Sequence, residues 1–393
     1  MSHPSPVGQT TDAGKVGLAA AGNTPFRFYD NRQKYLAFVN TCNEKQKVAD
    51  RAAEEFREIR PMPPALRLFD AGMGDATVLA RLMRSAHASW PAVPLLVVAK
   101  EISREDVRLG LEKMADRFLE HPTTVLVITN LHYADAPTLR PRNPEDASRL
   151  NWQVAKLKGH SSYEYAQQIE ALHPLLDYGW ATRSSEASGN PVYVRPSVLV
   201  IYREDHAFLL DGVIPRPETP ALEYDFVLAS QPWRARMSAA FKVGKVLLPL
   251  VRRLAPGGRL LVIQSRGDDP GLEIVRSLWP GEAPFQVDRH KLLAELAREL
   301  GDEAARFSMP DPPDSESIFR YEMHSLPAEI GDRIGTSMLF AAWNAAIYVN
   351  QIEDERLGEV AANGRYLEAT QAVLRKHGGL WFNDESFVVS RRS

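Results

Sequence analysis

Short apolar runs alternate with helical stretches between Leu66 and Thr129, and this alternation restricts the fold more than any other feature of the sequence. The runs LRLFD, PLLVVAK and TTVLVIT are separated by ATVLARLMRSA and REDVRLGLEKMADRFLE, in which apolar residues recur every three or four positions. Strands and helices in this rhythm favour right-handed β-α-β units. The pattern therefore predicts an α/β fold with a doubly wound, mostly parallel sheet.

The alternation stops after the third run and returns near Tyr224, which divides the chain into segments. We predict a disordered tail (1–24), an N-terminal helical lid (25–60), a core in two parts (61–134 and 223–301), an insert (135–222) and a C-terminal segment on the substrate side (302–393). In the insert, the runs PSVLVIY and AFLLDGVI flank the polar REDH, which predicts a β-hairpin. The last strand of the chain is predicted at SFVVS.

Composition excludes several classes of protein. The 393 residues carry a formal net charge of −3, so no broad basic surface for nucleic acid or an anionic membrane is expected. The longest apolar run, 92–99, falls well short of the roughly 18 residues of a membrane span. Because the first residues lack signal-peptide features, we expect a cytoplasmic protein. Cys42 is the only cysteine, which rules out an intrachain disulfide and a cysteine-based zinc cluster.

A glycine turn follows the first predicted strand, in the segment DAGMGDAT that begins at Asp70. Gly72 and Gly74 allow the backbone to bend sharply and to approach a ligand, while the next helix directs its free N–H groups to the same place. Glu101 follows the second strand, where a carboxylate can accept both hydroxyls of a ribose. These features predict a nucleoside-bearing cofactor at the carboxyl edge of the sheet.

The acidic residues of this turn favour one cofactor over another. The dinucleotide fingerprint G-x-G-x-x-G/A would have Thr77 at its third position, and Glu101 lies 27 residues after Gly74 instead of about 20. Asp70 and Asp75 would repel a pyrophosphate, whereas they suit the sulfonium and amino groups of S-adenosylmethionine. We therefore predict S-adenosyl-L-methionine as the cofactor, with an NAD-dependent oxidoreductase as the alternative.

Four motifs resemble those of class I S-adenosylmethionine-dependent methyltransferases: LFDAGMGDA, the acid Glu101, YDFVLASQPW and LAPGGRLLVIQS, in that family's order. The resemblance implies a Rossmann-like methyltransferase fold. From this turn and its acid we expect cofactor contacts at Asp70, Gly72, Gly74 and Glu101, and a narrower resemblance, to histamine N-methyltransferase-like enzymes, implies further contacts at Thr129, Asn130 and Ser230. Two departures stand, since Ala76 replaces the frequent third glycine and a long insert separates the third strand from the fourth.

The two ends of the chain are similar to a narrower family. YLAFVNTCNEKQ and WFNDESFVV resemble the opening and closing segments of histamine N-methyltransferase-like enzymes, in which a glutamate and an asparagine hold the substrate amine. The matching positions are Glu44 and Asn383, and Gln231 would also face the acceptor. Asp106 stands where that family has a glutamine contact to the cofactor. This resemblance implies methyl transfer to an amine nitrogen of a small molecule.

Methyl transfer is a direct displacement, so the protein mainly has to align donor and acceptor. It needs no nucleophile and no metal, and we predict neither. A structural role remains an alternative for Glu44, as a surface helix residue, and for Asn383, as a turn residue before the last strand. A non-catalytic methyltransferase-like binding protein also remains open. The oligomeric state and the identity of the acceptor are not predicted from the sequence.

Overall fold

The computed structural model describes residues 32–185, 191–219, 221–325, 327–331, 334–361 and 364–393. The predicted tail, residues 1–24, lies outside them. Their strands are β1 (Leu66–Asp70), β2 (Leu95–Lys100), β3 (Thr124–Thr129), β4 (Asn151–Leu157), β5 (Thr182–Ser184), β6 (Pro191–Tyr193), β7 (Ser197–Arg203), β8 (Tyr224–Ser230), β9 (Leu254–Ser265), β10 (Phe307–Ser308), β11 (Ile318–Glu322) and β12 (Trp381–Arg391).

The helices precede, connect and follow these strands. They are α1 (Arg32–Thr41), α2 (Glu44–Glu54), α3 (Thr77–Ser89), α4 (Arg104–Glu112), α5 (Ala115–Glu120), α6 (Pro144–Ser148), α7 (Ser162–Glu170), α8 (His173–Gly179), α9 (Ala239–Lys242), α10 (Leu248–Val251), α11 (Pro270–Leu278), α12 (Arg289–Leu300), α13 (Asp314–Ser317), α14 (Thr336–Val349), α15 (Asp354–Ala361) and α16 (Arg365–His377). A π-helical turn, Val243–Leu247, joins α9 to α10. Short 3-10 turns lie at Glu55–Glu58, Ala136–Thr138, Glu204–His206, Gly301–Arg306 and Pro327–Ile330.

Ten of the described strands form one mixed sheet in the order β10-β12-β9-β8-β1-β2-β3-β7-β4, with β11 also paired to β12. The five central strands, β3, β2, β1, β8 and β9, are parallel. From β1 the chain continues to β2 on one side, whereas β8 lies on the other side. The gap above the carboxyl ends of β1 and β8 is therefore the topological switch point of a doubly wound sheet, and the predicted fold class is confirmed.

Helices cover both faces of the sheet, which explains why most residues of its central strands are apolar and buried. Residues of α2, α3, α4, α5 and α7 pack on one face, and residues of α10, α12 and the π-helical turn pack on the other. A further cluster joins α1 to α11, α14 and α16 and to the end of the sheet near β11 and β12. The N-terminal and C-terminal segments therefore pack together next to the switch point.

The hairpin predicted from PSVLVIY and AFLLDGVI is wrong. The first run is β7, which pairs antiparallel with β3 and parallel with β4 and so widens the main sheet. All seven residues of β7 are buried. This is expected for a strand inside a sheet that is covered on both faces, whereas an isolated hairpin would expose one face. The second run forms turns, with Phe208 91% and Leu209 61% exposed. The insert does contain a hairpin, built from β5 and β6.

Candidate functional site

The glycine turn crosses the switch point and is held by the strand ends on both sides. The N–H of Ala71 donates to the carbonyl of Leu228 in β8 at 2.9 Å, and the N–H of Met73 donates to the carbonyl of Lys100 in β2 at 3.0 Å. Because three adjacent strands fix the turn, its backbone presents a constant shape at the carboxyl edge of the sheet. This is the place where open α/β sheets bind their ligands.

Glu101 accepts three backbone hydrogen bonds that close the turn. Its Oε2 accepts from the N–H of Gly74 at 2.9 Å, and its Oε1 accepts from the N–H groups of Ile102 and Ser103, both at 2.8 Å. The residue is buried. A carboxylate has about four acceptor positions, and the described residues occupy three of those of Glu101. Glu101 thus ties β2 to the glycine turn, in addition to the ribose contact predicted for it.

Asp70 ends β1 with a buried carboxyl group at the bottom of the turn. Its Oδ1 accepts from the N–H of Gly72 at 3.1 Å. Burial raises the pKa of Asp70 to about 6, the charge of Glu101 adds to this, and the Gly72 bond and Lys45 oppose it. A Cβ on Gly72 would come no closer to another group than 4.0 Å, at the carbonyl of Ser230. The backbone of Gly72 is therefore open to a ligand.

Gly74 has a φ of +52°, in the left-handed region, and a Cβ there would lie 2.9 Å from the hydroxyl oxygen of Tyr35. Helix α1 therefore lies directly over the turn. Asp75 accepts from the hydroxyl of Thr77 at 2.6 Å and from Lys113 Nζ at 3.2 Å. Burial acts to raise the pKa of Asp75, but Thr77, Lys113 and the charge of Lys45 outweigh it and the pKa is lowered. The charge of Asp75 is thus compensated inside the protein, unlike that of Asp70.

Thr129 and Asn130 use their side chains to hold the insert. The Thr129 hydroxyl donates to the carbonyl of Ser197 at 2.9 Å. The Asn130 amide donates to the carbonyls of Gly179 and Arg195, both at 3.0 Å, and its oxygen accepts from the N–H of Ser197 at 2.8 Å. The sequence predicted both residues as cofactor contacts, whereas the structure engages their side-chain polar groups with the insert. Their contact to a cofactor stays a prediction.

At the end of β8, Ser230 lies beside the glycine turn and Gln231 reaches β9 and β12. The Gln231 amide donates to the Ser265 hydroxyl at 3.1 Å and to Asp384 Oδ1 at 3.2 Å, and its Oε1 accepts from the N–H of Ser265 at 3.2 Å. Gln231 has a φ of +49°. Its side chain thus connects the switch point to the buried carboxyl group of Asp384.

Glu44 is the first residue of α2 and is buried, so it is not the surface residue that its charged neighbourhood allowed. Lys45 Nζ lies 3.3 Å from Glu44 Oε2 and 5.5 Å from the centre of the Tyr35 ring. Burial acts to lower the pKa of Lys45, but Glu44, Tyr35, Tyr348 and Asp75 outweigh it and hold the pKa well above its ordinary value. Lys45 is therefore a permanent cation within the site.

Asn383 does not join this group of residues. Its amide donates to the carbonyls of Gly267 and Asp268, at 3.2 and 3.0 Å. Consecutive residues of a strand face opposite sides, so the neighbouring Asp384 is the one that meets Gln231. Sequence reasoning missed Asp384 because it began the last strand at Ser386. The sequence does contain a signal for it, since Asp384 and Glu385 are two adjacent acidic residues inside the β-type segment 381–391.

The described residues contain no group of three or more His, Cys, Asp or Glu side chains that could hold a metal ion. No helix among them has the length and apolar character needed to cross a membrane.

No family model matches the chain, and no curated protein matches its sequence. Solved structures similar to it include loganic acid methyltransferase with SAH (9% identity, 95% of this chain and 98% of that one, TM-score 0.34). A second is geranyl diphosphate methyltransferase with GPP and sinefungin (10%, 87% and 76%, TM-score 0.32). A third is phosphoethanolamine N-methyltransferase 2 of Haemonchus contortus with S-adenosyl-L-methionine (12%, 95% and 61%, TM-score 0.31). Such distant likenesses carry no conclusion about activity, which is argued below from this chain's own geometry.

Proposed function

We propose that this protein transfers a methyl group from S-adenosylmethionine to a small molecule, at an amine nitrogen. The observation that carries the proposal is a set of buried carboxyl groups around the carboxyl edge of β1, β2 and β8. Asp70 and Glu101 lie at the glycine turn, Gln231 links Asp384 to the end of β8, and the charge of Glu44 acts on Asp384. Buried carboxylates favour positively charged ligands, and both the methyl donor and an amine acceptor carry a positive charge.

The residues at the glycine turn suit the cofactor. The open backbone at Gly72 allows a close approach, Asp70 would accept from the amino group, and the remaining acceptor position of Glu101 would serve the ribose hydroxyls. The cofactor supplies a methyl group bonded to a positively charged sulfur atom. After transfer of the methyl group, the rest of the cofactor is a neutral thioether. Since a carboxyl group with a pKa near 6 is mostly ionised at neutral pH, Asp70 is ready to pair with a cation.

Glu44 and Gln231 are proposed to face the acceptor. The alignment of an acceptor nitrogen with the donor methyl contributes on the order of 7–11 kcal/mol to such a reaction, and Gln231 is held for this by its bonds to Ser265 and Asp384. For Asn383, the amide nitrogen already donates to two backbone carbonyls, so only its amide oxygen would serve a substrate. It therefore supports the proposal less than Glu44 does.

Calorimetric titration of the full chain with S-adenosylmethionine, S-adenosylhomocysteine and NADH tests the proposal. We expect micromolar binding of the first two compounds and no binding of NADH, followed by transfer of labelled methyl groups to members of an amine panel. Binding of NADH alone would overturn the proposal in favour of an oxidoreductase. Binding of S-adenosylmethionine without transfer to any amine would favour a non-catalytic binding protein.

A further inference from the structure

Two buried carboxyl groups beside the glycine turn have an oxygen atom without a hydrogen bond. Asp384 is 0% exposed and Glu44 is 4% exposed. Asp384 Oδ2 and Glu44 Oε2 have no hydrogen-bond partner among the described residues. Lys45 Nζ approaches Glu44 Oε2 to 3.3 Å, but without hydrogen-bond geometry. Buried polar atoms of proteins are nearly always paired, so two unpaired carboxyl oxygens in one site require an explanation.

Among the described residues, the groups that act most strongly on Asp384 carry no positive charge. The groups that act on it are Glu44 from α2, Asp269 before α11, Tyr321 from β11, and Gln231 and Ser265 at the ends of β8 and β9. Two of these groups are acids, two are neutral donors and one is a phenol. The nearby cation, Lys45, contacts Glu44. Lys45 balances the charge of Glu44, so an ionised Asp384 is left for a bound cation to balance.

We propose that Asp384 and Glu44 together bind the ammonium group of the methyl acceptor, and that Asp384 removes its proton. This proposal rests on the proposed function and specifies its substrate class, a primary or secondary amine that is protonated in solution. Asp384 Oδ2 and Glu44 Oε2 are the two atoms that accept hydrogen bonds from the ammonium group. Gln231 holds Asp384 in place through Oδ1, which leaves Oδ2 for the ligand.

The proton transfer balances as follows. An N–H bond of the ammonium group breaks, its electron pair stays on nitrogen as a lone pair, and a new O–H bond forms on the Asp384 carboxylate. The neutral amine is then a nucleophile, and the incoming methyl group restores one positive charge on nitrogen. This proton stays on Asp384 and restores the protonated state that the residue has without a ligand, so the one proton released in each turnover is the one that leaves Asp384 when the ammonium group binds.

The electrostatics of the site support this assignment. Burial and the charge of Glu44 raise the pKa of Asp384 well above its ordinary value, and the bonds to Ser265 and Gln231 oppose the shift. A carboxyl group of this kind holds a proton when no ligand is bound and loses it when a cation binds next to it. Binding of an ammonium ion should therefore release a proton from the protein before any chemistry.

Calorimetry with benzylammonium and the neutral benzyl alcohol tests the proposal. The full chain is loaded with S-adenosylhomocysteine, and each probe is titrated in two buffers of different ionisation enthalpy, which gives the number of protons released. We expect benzylammonium to bind with release of about one proton. Benzyl alcohol should bind at least tenfold more weakly, a difference of about 1.4 kcal/mol in binding free energy. Asp384→Asn should weaken benzylammonium binding about tenfold or more and abolish the proton release.

Asp225→Asn provides the matched control. Asp225 is also a buried carboxyl group with a pKa raised to about 6, but it is the second residue of β8, at the end of the strand far from the switch point. This variant should bind benzylammonium and release a proton as the unmodified protein does. Infrared spectroscopy gives a second measurement on the unmodified chain, since benzylammonium should remove the carbonyl band of a protonated carboxyl group.

Unchanged affinity and proton release in Asp384→Asn would overturn the proposal, and so would equal binding of benzylammonium and benzyl alcohol. The same holds if the infrared band persists after benzylammonium is added. Failure of the broader proposed function is distinguishable, because it appears as absence of S-adenosylhomocysteine binding in the loading step. That step does not depend on Asp384.

Discussion

The backbone N–H of Gly74 donates a 2.9 Å hydrogen bond to Oε2 of Glu101, which joins the glycine turn after β1 to the residue that follows β2. The other carboxyl oxygen of Glu101 accepts from two further N–H groups. One side chain therefore determines the shape of the cofactor-binding turn and offers its remaining acceptor position to a ligand.

Glu101→Gln should weaken the binding of S-adenosylmethionine. Glutamine has a single acceptor oxygen, so its NH2 group would face at least one of the three N–H donors. We expect a loss of about 1.5–3 kcal/mol in binding, the range for hydrogen bonds to charged groups, together with a lower Tm. Calorimetry and thermal unfolding measure both effects. Glu112→Gln on α4, which is 53% exposed at its side chain, is the control; equal affinities for the two variants would contradict the prediction.

Gly74→Ala should destabilise the protein by two separable effects. The left-handed backbone costs an alanine roughly 1–2 kcal/mol, and the new Cβ would lie only 2.9 Å from the Tyr35 hydroxyl oxygen. Tyr35→Phe removes that oxygen and leaves the backbone cost. We therefore expect Gly74→Ala to lower the unfolding free energy less in the Tyr35→Phe protein than in the unmodified protein. Chemical denaturation of all four proteins measures this, and strictly additive losses would show that α1 does not contact the turn.

Asn130→Ala should lower stability strongly and leave cofactor affinity nearly unchanged. The substitution removes the Asn130 donor to the Arg195 carbonyl and the acceptor of the Ser197 N–H, while the Gly179 carbonyl loses one of two donors and keeps the Ser197 hydroxyl at 2.9 Å. An unpaired buried polar group costs roughly 1–3 kcal/mol, so a loss of several kcal/mol in unfolding free energy is expected. Calorimetry at a temperature where the variant is folded then measures S-adenosylmethionine binding. A large loss of affinity at full folding would favour the cofactor contact predicted from the sequence.

Asp225→Asn should change the pH dependence of stability. Burial is the main cause that raises the pKa of Asp225 to about 6 in the folded state, above the roughly 3.9 of an unfolded chain. Because the folded state binds this proton more tightly, the contribution of Asp225 to the unfolding free energy is complete below about pH 4 and falls as the pH rises to 6, by up to about 3 kcal/mol.

The asparagine variant has no such proton, and its side-chain oxygen can still accept from the Arg67 N–H that bonds to Asp225 Oδ2 at 2.7 Å. Its unfolding free energy, measured with urea at several pH values, should therefore decline less between pH 4 and 6. Parallel curves for the two proteins would contradict the prediction. Asp302→Asn, on the surface near the end of α12, is the control and should follow the unmodified protein.

The sequence predicted the elements whose formation depends on local pattern. The runs at Leu66, Leu95 and Thr124 are apolar on both faces, so they indicate buried parallel strands wherever they occur. Gly72 and Gly74 permit a sharp turn in almost any surroundings, and an acid directly after the next strand falls beside that turn by the geometry of a parallel sheet. The doubly wound fold and the position of Glu101 at the turn were therefore predictable.

The tertiary structure decided what depends on contacts between distant segments. Whether β7 turns back in a hairpin or joins the sheet depends on β3 and β4, which offer it more burial than AFLLDGVI does. The side chain of Asn130 binds the insert because its partners arrive from residues 179–197. The packing of α2 against β11 and β12 places Glu44 where its charge acts on Asp384, 340 positions later in the chain, and the local sequence does not encode such a long-range arrangement.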